Sequence, residues 1–262
     1  RVRQITMDDA HIYATEDQIV SEITNIIDMM TGFYDKFGFE YDFRLATRPE
    51  LFAGTEENWS RAEKELEHVL KSKKLNYSIK DQDGAFYGPK IDVHIKDSLG
   101  REWQLATVQL DFHMPQAFDL KYTDAHGKEV KPVMIHRAIF GSFERFIGIL
   151  TEHYQGKFPV WLAPVQVELL PIADRHVEYA TKLYNGLQEA GIRVELNTKA
   201  ETLQAKIRGA TLQKVPFMGI IGDKEVDSGN SLSVRSRDGK DLGALDLQAF
   251  IQQIKENIDK KI

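Results

Sequence analysis

Three short runs place polar side chains where the surrounding pattern is apolar. Asp8-Asp9-Ala10-His11 follows an apparent strand. Val133-Met134-Ile135-His136-Arg137 ends an apolar strand in a histidine, with Gly141-Ser142 opening a helix just beyond. Trp103 to Asp111 carries Gln104, Thr107 and Gln109 through a strand otherwise fit for the middle of a sheet. Imidazoles bind metals and anions, but a lone histidine is more often a hydrogen-bonded structural residue, so neither His11 nor His136 is decisive alone. Buried amides need partners, and a ligand is one kind of partner. Strict strand alternation sets Gln104 on the face opposite Thr107 and Gln109. If all three serve one ligand, the strand must contain a bulge.

The elements that position these residues fall into two patterns. Thr15-Glu16-Asp17-Gln18 reads as a capping box ahead of a helix with Ile19, Ile23, Ile26, Ile27 and Met30 on one face, ended by Gly38. A strand from Tyr41 to Leu45 follows, then an amphipathic helix from about Glu56 with Trp59, Ala62, Leu66, Val69 and Leu70 inward. Tyr77 to Phe112 reads as antiparallel strands in a meander, turning at Asp97-Ser98-Leu99-Gly100. Val133 to His136 is a further strand, followed by a helix bearing Phe143, Phe146, Ile147 and Leu150. Beyond Phe158-Pro159 strands and helices alternate: Val165 to Ile172, Arg175 to Ala190, Arg193 to Asn197, Glu201 to Gln213 and Phe217 to Ile221. Such alternation predicts parallel pairing with helical crossovers. A strand at Leu232 to Arg235 and a closing helix from Leu245 to Ile258 complete the chain, giving domains at 1–158 and 159–262.

The 262 residues are 42% hydrophobic and 28% charged, an ordinary globular composition that excludes a disordered or fibrous chain. Lys and Arg number 34 against 40 Asp and Glu, a net charge of −6, which weighs against whole-surface binding of nucleic acid or anionic membrane but allows a local basic face. The chain has no cysteine, which excludes disulfides and thiolate ligands of its own and points to the cytosol. No stretch approaches the roughly 18 apolar residues of a membrane helix. No repeat suggests a solenoid, and the start at Arg1-Val2-Arg3 reads as the middle of a strand with sequence expected upstream.

Several motifs in order resemble the threonyl-tRNA synthetase family of class II synthetases. They are Arg1-Val2-Arg3 with Asp8 to His11, Gly84 to Lys90, Trp103-Gln104 with Thr107 to Phe112, Val133 to Arg145, Trp161 to Gln166 and Gly222 to Glu225, covering essentially the whole chain. The resemblance implies an α+β class II catalytic domain, N-terminally incomplete, built on an antiparallel sheet, and then an α/β anticodon-binding domain with a mixed sheet. It implies a threonine-tRNA ligase that activates threonine with ATP and Mg2+ and charges threonine tRNA. The full-length protein is expected to be a cytoplasmic homodimer with no membrane partner. A catalytically silent tRNA-binding relative is the alternative; Met7, where many members have Gln, favours it, and His11, His136 and Arg145 favour the enzyme.

By the same resemblance, Arg1 and Arg145 clamp the phosphates, Ser142 and Gln104 contact the adenylate, Thr107 lies near the ribose and amino acid, and Gln109 belongs to the substrate- or ATP-binding set. His11 and His136 match two zinc ligands, whose third, a cysteine, would lie upstream of Arg1, and Asp9 matches the carboxylate that receives the amino group. Tyr87 and Lys90 match residues near the substrate and the tRNA 3′ end; an exposed Gly-Pro turn is the alternative for that segment. Glu225 and Arg235 match positions that read anticodon bases, although Ala200 and Gln204 depart from the family nearby. Lys199, Lys206, Arg208 and Lys214 form a basic stretch able to meet phosphate, or else one solvated helix face.

Overall fold

The computed structural model describes residues 3–262, so the expected role of Arg1 lies outside the described residues. The chain divides into two compact units, Arg1–Glu152 and His153–Ile262, a few residues before the boundary read from the sequence.

The first unit runs β1 (Ala10–Ala14), α1 (Ile19–Phe37), β2 (Tyr41–Ala46), α2 (Glu56–Ser72), β3 (Tyr77–Lys80), β4 (Lys90–Lys96), β5 (Glu102–Asp111), α3 (Met114–Ala117), β6 (Tyr122–Thr123), β7 (Glu129–Val130), β8 (Val133–Ala138) and α4 (Phe143–His153). Its main sheet has the order β1-β8-β5-β4-β2-β3. Every neighbouring pair is antiparallel except β2 and β3. That exception corrects the meander reading: β3 returns parallel to β2 after α2, as a βαβ crossover, because a helix between the strands carries the chain back to the end where β2 began.

Local chemistry sets the helices. Gln18 Oε1 accepts from Thr15 N–H at 2.9 Å, closing the reciprocal arm of the cap before α1, while Gly38 ends that helix in the left-handed region at φ 72°. Thr55 Oγ1 accepts from Asn58 N–H at 3.2 Å at the start of α2, with Glu56 and Glu57 in its positive first turn. Ile23, Ile27 and Met30 of α1 and Leu66, Val69 and Leu70 of α2 are fully buried, as are Ile91, Val93, Val108, Leu110 and Ile135 of the sheet. Each contributes roughly 1.5–3 kcal/mol by leaving water. Both helices pack on the sheet. Because alternate residues point to opposite faces, Lys90, Asp92, Thr107, Gln109 and His136 share the other one.

The second unit runs β9 (Val167–Pro171), α5 (Val177–Glu189), β10 (Val194–Leu196), α6 (Leu203–Leu212), β11 (Phe217–Ile221), α7 (Asp223–Ser228), β12 (Ser231–Ser236), β13 (Asp241–Asp246) and α8 (Leu247–Lys260). The order is β10-β9-β11-β12-β13, with the first three strands parallel and the last two added antiparallel. Val167, Leu169, Leu183, Leu187, Phe250 and Ile254 form one core, and Leu170, Ala210 and Met218 a smaller one under α6. The alternating pattern gave the parallel strands, but β13 escaped it: Gly243 interrupts the segment, and Leu245, read as helix, is strand. The closing helix begins only after Asp246, whose Oδ1 accepts from Gln248 N–H at 2.8 Å. Among the described residues no helix is long and apolar enough to cross a membrane.

Candidate functional site

The polar face of the first sheet gathers most of the residues singled out in the sequence. His11, His136, Gln109 and Lys90 lie in one register row across β1, β8, β5 and β4. The His11 and His136 rings meet edge to face with centroids 4.7 Å apart. His136 Nε2 lies 3.0 Å from Asp111 Oδ2, and Asp111 Oδ1 accepts the backbone N–H groups of His113 at 2.7 Å and Met114 at 2.9 Å. This fully buried carboxylate orients the His136 ring, and Nδ1 has no hydrogen bond among the described residues. Tyr87 packs on His136 at 5.0 Å and donates its hydroxyl to Gln109 Oε1. Burial pushes the Tyr87 phenol pKa up, and the nearby Asp111 and Asp9 carboxylates add to it.

Gly88 brings Tyr87 and Lys90 to this face. A Cβ there would sit 2.0 Å from the Leu110 carbonyl oxygen, so only glycine lets the turn approach β5 this closely. Lys90 Nζ then reaches Asp92 Oδ2 at 2.5 Å.

The bulge required for Gln104 to join Thr107 is present in β5. Val93 pairs with Ala106 and His94 with Gln104, which leaves Leu105 as the extra residue. Leu105 and Ala106 are consecutive and both buried, as a break in alternation demands. Gln104 Nε2 and Thr107 Oγ1 consequently donate to the same atom, Asp92 Oδ1, at 2.7 and 3.0 Å. Gln109 Nε2 lies 3.4 Å from Thr107 Oγ1.

Arg145, at the start of α4, reaches the same edge. Its guanidinium donates to the Gln104 carbonyl oxygen at 3.3 Å and stacks over Trp103 at 5.4 Å, and Trp103 Nε1–H donates to Asp97 Oδ2 at 2.8 Å. Ser142 Oγ donates to Glu144 Oε2 at 2.7 Å, and Glu144 also accepts Thr6 N–H at 3.1 Å. The Ser142 hydroxyl and these backbone donors hold the Glu144 carboxyl pKa down at about 2. Of the two adjacent aspartates, Asp8 is structural: its carboxylate accepts Ile139 N–H at 2.8 Å and Phe140 N–H at 3.1 Å. Asp9 is exposed and makes no hydrogen bond or ion pair with a described residue.

Asp92 and Asp111 escaped the sequence reading. The signal was a carboxylate on the same alternating face as the chosen polar residues, Asp92 two residues from Lys90 and Asp111 two from Gln109. Among the described residues no three His, Cys, Asp or Glu side chains group as a metal site, so two imidazoles are what this chain offers a metal. Their adjacency fits two ligands of a site completed from elsewhere, since zinc sites use at least three protein ligands.

In the second unit, Glu225 Oε2 accepts Gly222 N–H at 2.9 Å and so caps α7. Arg235 lies in β12 at an irregularity where Leu242 is passed over, and its guanidinium has no hydrogen bond or ion pair among the described residues. The basic stretch needs correction at Lys206. That side chain is buried, with Nζ donating to the carbonyl oxygens of Pro171 at 2.9 Å and Asn197 at 3.2 Å, so it cannot meet a phosphate. Among the described residues, the side chains of Lys199, Arg208 and Lys214 make no such bonds to carbonyl groups.

Residues 1–154 match the family described as tRNA synthetase class II core domain (G, H, P, S and T), and residues 166–257 match the anticodon binding domain. The chain belongs to the class II tRNA synthetase family. It is 52% identical over 261 residues to a threonine–tRNA ligase of Caldanaerobacter subterraneus subsp. tengcongensis, covering 100% of this chain and 40% of that protein. It is 53% identical over 262 residues to a threonine–tRNA ligase of Clostridium kluyveri, covering 100% and 41%. The chain thus spans about 40% of the length of the curated relatives it matches. The crystal structure of the RNA binding domain of threonyl-tRNA synthetase from Cryptosporidium parvum Iowa II superposes with a TM-score of 0.92 at 38% identity, over 98% of this chain and 64% of that one.

Proposed function

We propose that this chain supplies the later part of the catalytic domain and the anticodon-binding domain of a cytoplasmic threonine–tRNA ligase. The observation that carries the reading is the convergence of His11, His136, Tyr87, Lys90, Gln104 and Thr107 on one sheet face, with a bulge in β5 bringing Gln104 there. The identity of 52–53% over the length of this chain to part of two threonine–tRNA ligases supports it.

In this reading Arg145 neutralises phosphate charge of ATP, whose Mg2+ does the same, as threonine's carboxylate attacks the α-phosphate, the α–β phosphoanhydride bond breaks and pyrophosphate leaves the threonyl adenylate behind. Gln104 and Ser142 hold the adenylate, Thr107 and Gln109 line the ribose and amino-acid side, and Asp9 receives the amino group. Tyr87 and Lys90 flank the substrate and the tRNA 3′ end. His11 and His136 would hold Zn2+ together with a cysteine outside this chain, His136 through Nδ1. Bound there, the metal would take the amino and hydroxyl groups of threonine, which a purely apolar pocket distinguishes poorly from valine. Glu225 and Arg235 read the anticodon, and the complete protein acts as a dimer.

The test is threonine-dependent ATP–pyrophosphate exchange by the complete protein, with valine as competitor. Exchange with threonine and rejection of valine are expected; exchange with another amino acid but not threonine would overturn the reading. The 262-residue chain alone, with two imidazoles and no cysteine, is expected to show no exchange.

A further inference from the structure

The polar face is organised around a buried carboxylate, Asp92. Asp92 is 2% exposed, and its two carboxylate oxygens collect Lys90 Nζ, Gln104 Nε2 and Thr107 Oγ1. Beyond Thr107 the chain continues through Gln109 to Tyr87.

We propose that Asp92 is the positioning residue of the site, fixing the direction of every hydrogen bond in this chain and so which atoms face the ligand. This rests on the threonine-activating reading above. Paired with an ammonium, a carboxylate accepts and does not donate. Gln104 must therefore turn its NH2 inward and keep Oε1 free. Thr107 must spend its hydroxyl hydrogen on Asp92, so its oxygen can only accept, and Gln109 must offer it Nε2. Gln109 Oε1 is then left to receive the Tyr87 hydroxyl hydrogen, which makes the Tyr87 oxygen an acceptor too. One buried charge thereby presents Gln104 Oε1, Thr107 Oγ1 and Tyr87 Oη as acceptors, a surface suited to the hydroxyl and ammonium donors of an amino acid and a ribose. The Leu105 bulge is essential here, because without it Gln104 could not share Oδ1 with Thr107.

The test is a cycle in the complete protein. Asp92→Asn keeps the shape but adds a donor, so Gln104 and Thr107 can reverse. Pyrophosphate exchange is expected to lose about tenfold or more in kcat/KM for threonine, with a cooperative melt retained, since misplacement of about 1 Å can cost about a hundredfold. In a Gln104→Ala, Thr107→Val background the same change should cost less than about threefold, because the amide and hydroxyl that Asp92 orients are gone and only its pairing with Lys90 is left. An unchanged rate in Asp92→Asn, or an equal loss in both backgrounds, would overturn the positioning role while leaving the activity intact. A wild type with no exchange would instead remove the activity and the role with it. If Asp92→Asn does not fold, Thr107→Ser, which keeps the donor, should lose much less kcat/KM than Thr107→Val; equal losses there overturn the proposal.

Discussion

Gly141 stands directly over the carbonyl oxygen of Leu105, where a Cβ would lie 2.9 Å away, and it does so at φ 66°. The residue that opens α4 is thus fitted to the bulge of β5, and Arg145 on the same helix donates to the neighbouring Gln104 carbonyl. Bulge, helix start and guanidinium form one assembly.

Gly141→Ala should disturb this assembly twice, by the left-handed backbone and by the clash with a backbone oxygen that cannot turn aside. A loss of about 1–3 kcal/mol in urea unfolding is expected. Gly148→Ala, on the same helix with nothing within 4 Å of its Cβ, should be neutral or stabilising.

Glu144 gives the first unit an acid-sensitive limb. Its folded pKa of about 2 lies below its ordinary 4.5, so its contribution is complete above the ordinary value and lost as pH falls toward 2. Glu144→Gln should be less stable than wild type at neutral pH and lose stability less steeply through that window. Parallel slopes in denaturant titrations at several pH values would contradict this.

Lys206→Ala should act on folding and not on RNA. It removes the donor shared by the Pro171 and Asn197 carbonyls, at a cost of about 1–3 kcal/mol. The salt dependence of tRNA affinity should stay unchanged, whereas Arg208→Ala should lower its slope by about one.

Arg235→Ala should weaken threonine tRNA binding and relax discrimination at one anticodon base, because a free guanidinium fork can pair with a base edge. Titrations with matched and anticodon-swapped tRNAs check this. Equal losses on both would make Arg235 a phosphate contact only.

Much of the site was legible because its residues are polar in apolar strands. His11 and His136 stood out for that reason, and the alternation argument required a bulge if Gln104, Thr107 and Gln109 were to serve one ligand, without locating it at Leu105. What stayed hidden was relational. Asp92 and Asp111 look like ordinary strand polars until the register sets one opposite Thr107 and the other beside His136. Lys206 looked like a surface cation because sequence records charge, not the two carbonyls folded over it. The parallel β3 was missed because local pattern marks a strand but not the direction of its partner.

The strand order also fixes when the site can exist. β4 and β5 are joined by a short turn, but β1 meets its ladder partner β8 only across the intervening helices and strands, with Ala10 opposite Arg137. Closing so long a loop costs entropy that local hairpins do not, so β1 is expected to dock late in folding. Pulse-labelled hydrogen exchange should find the β4–β5 amides protected first. His11 would then reach His136 after the rest of the sheet is assembled, and the metal-binding role proposed for this face would be acquired at the end of the folding reaction.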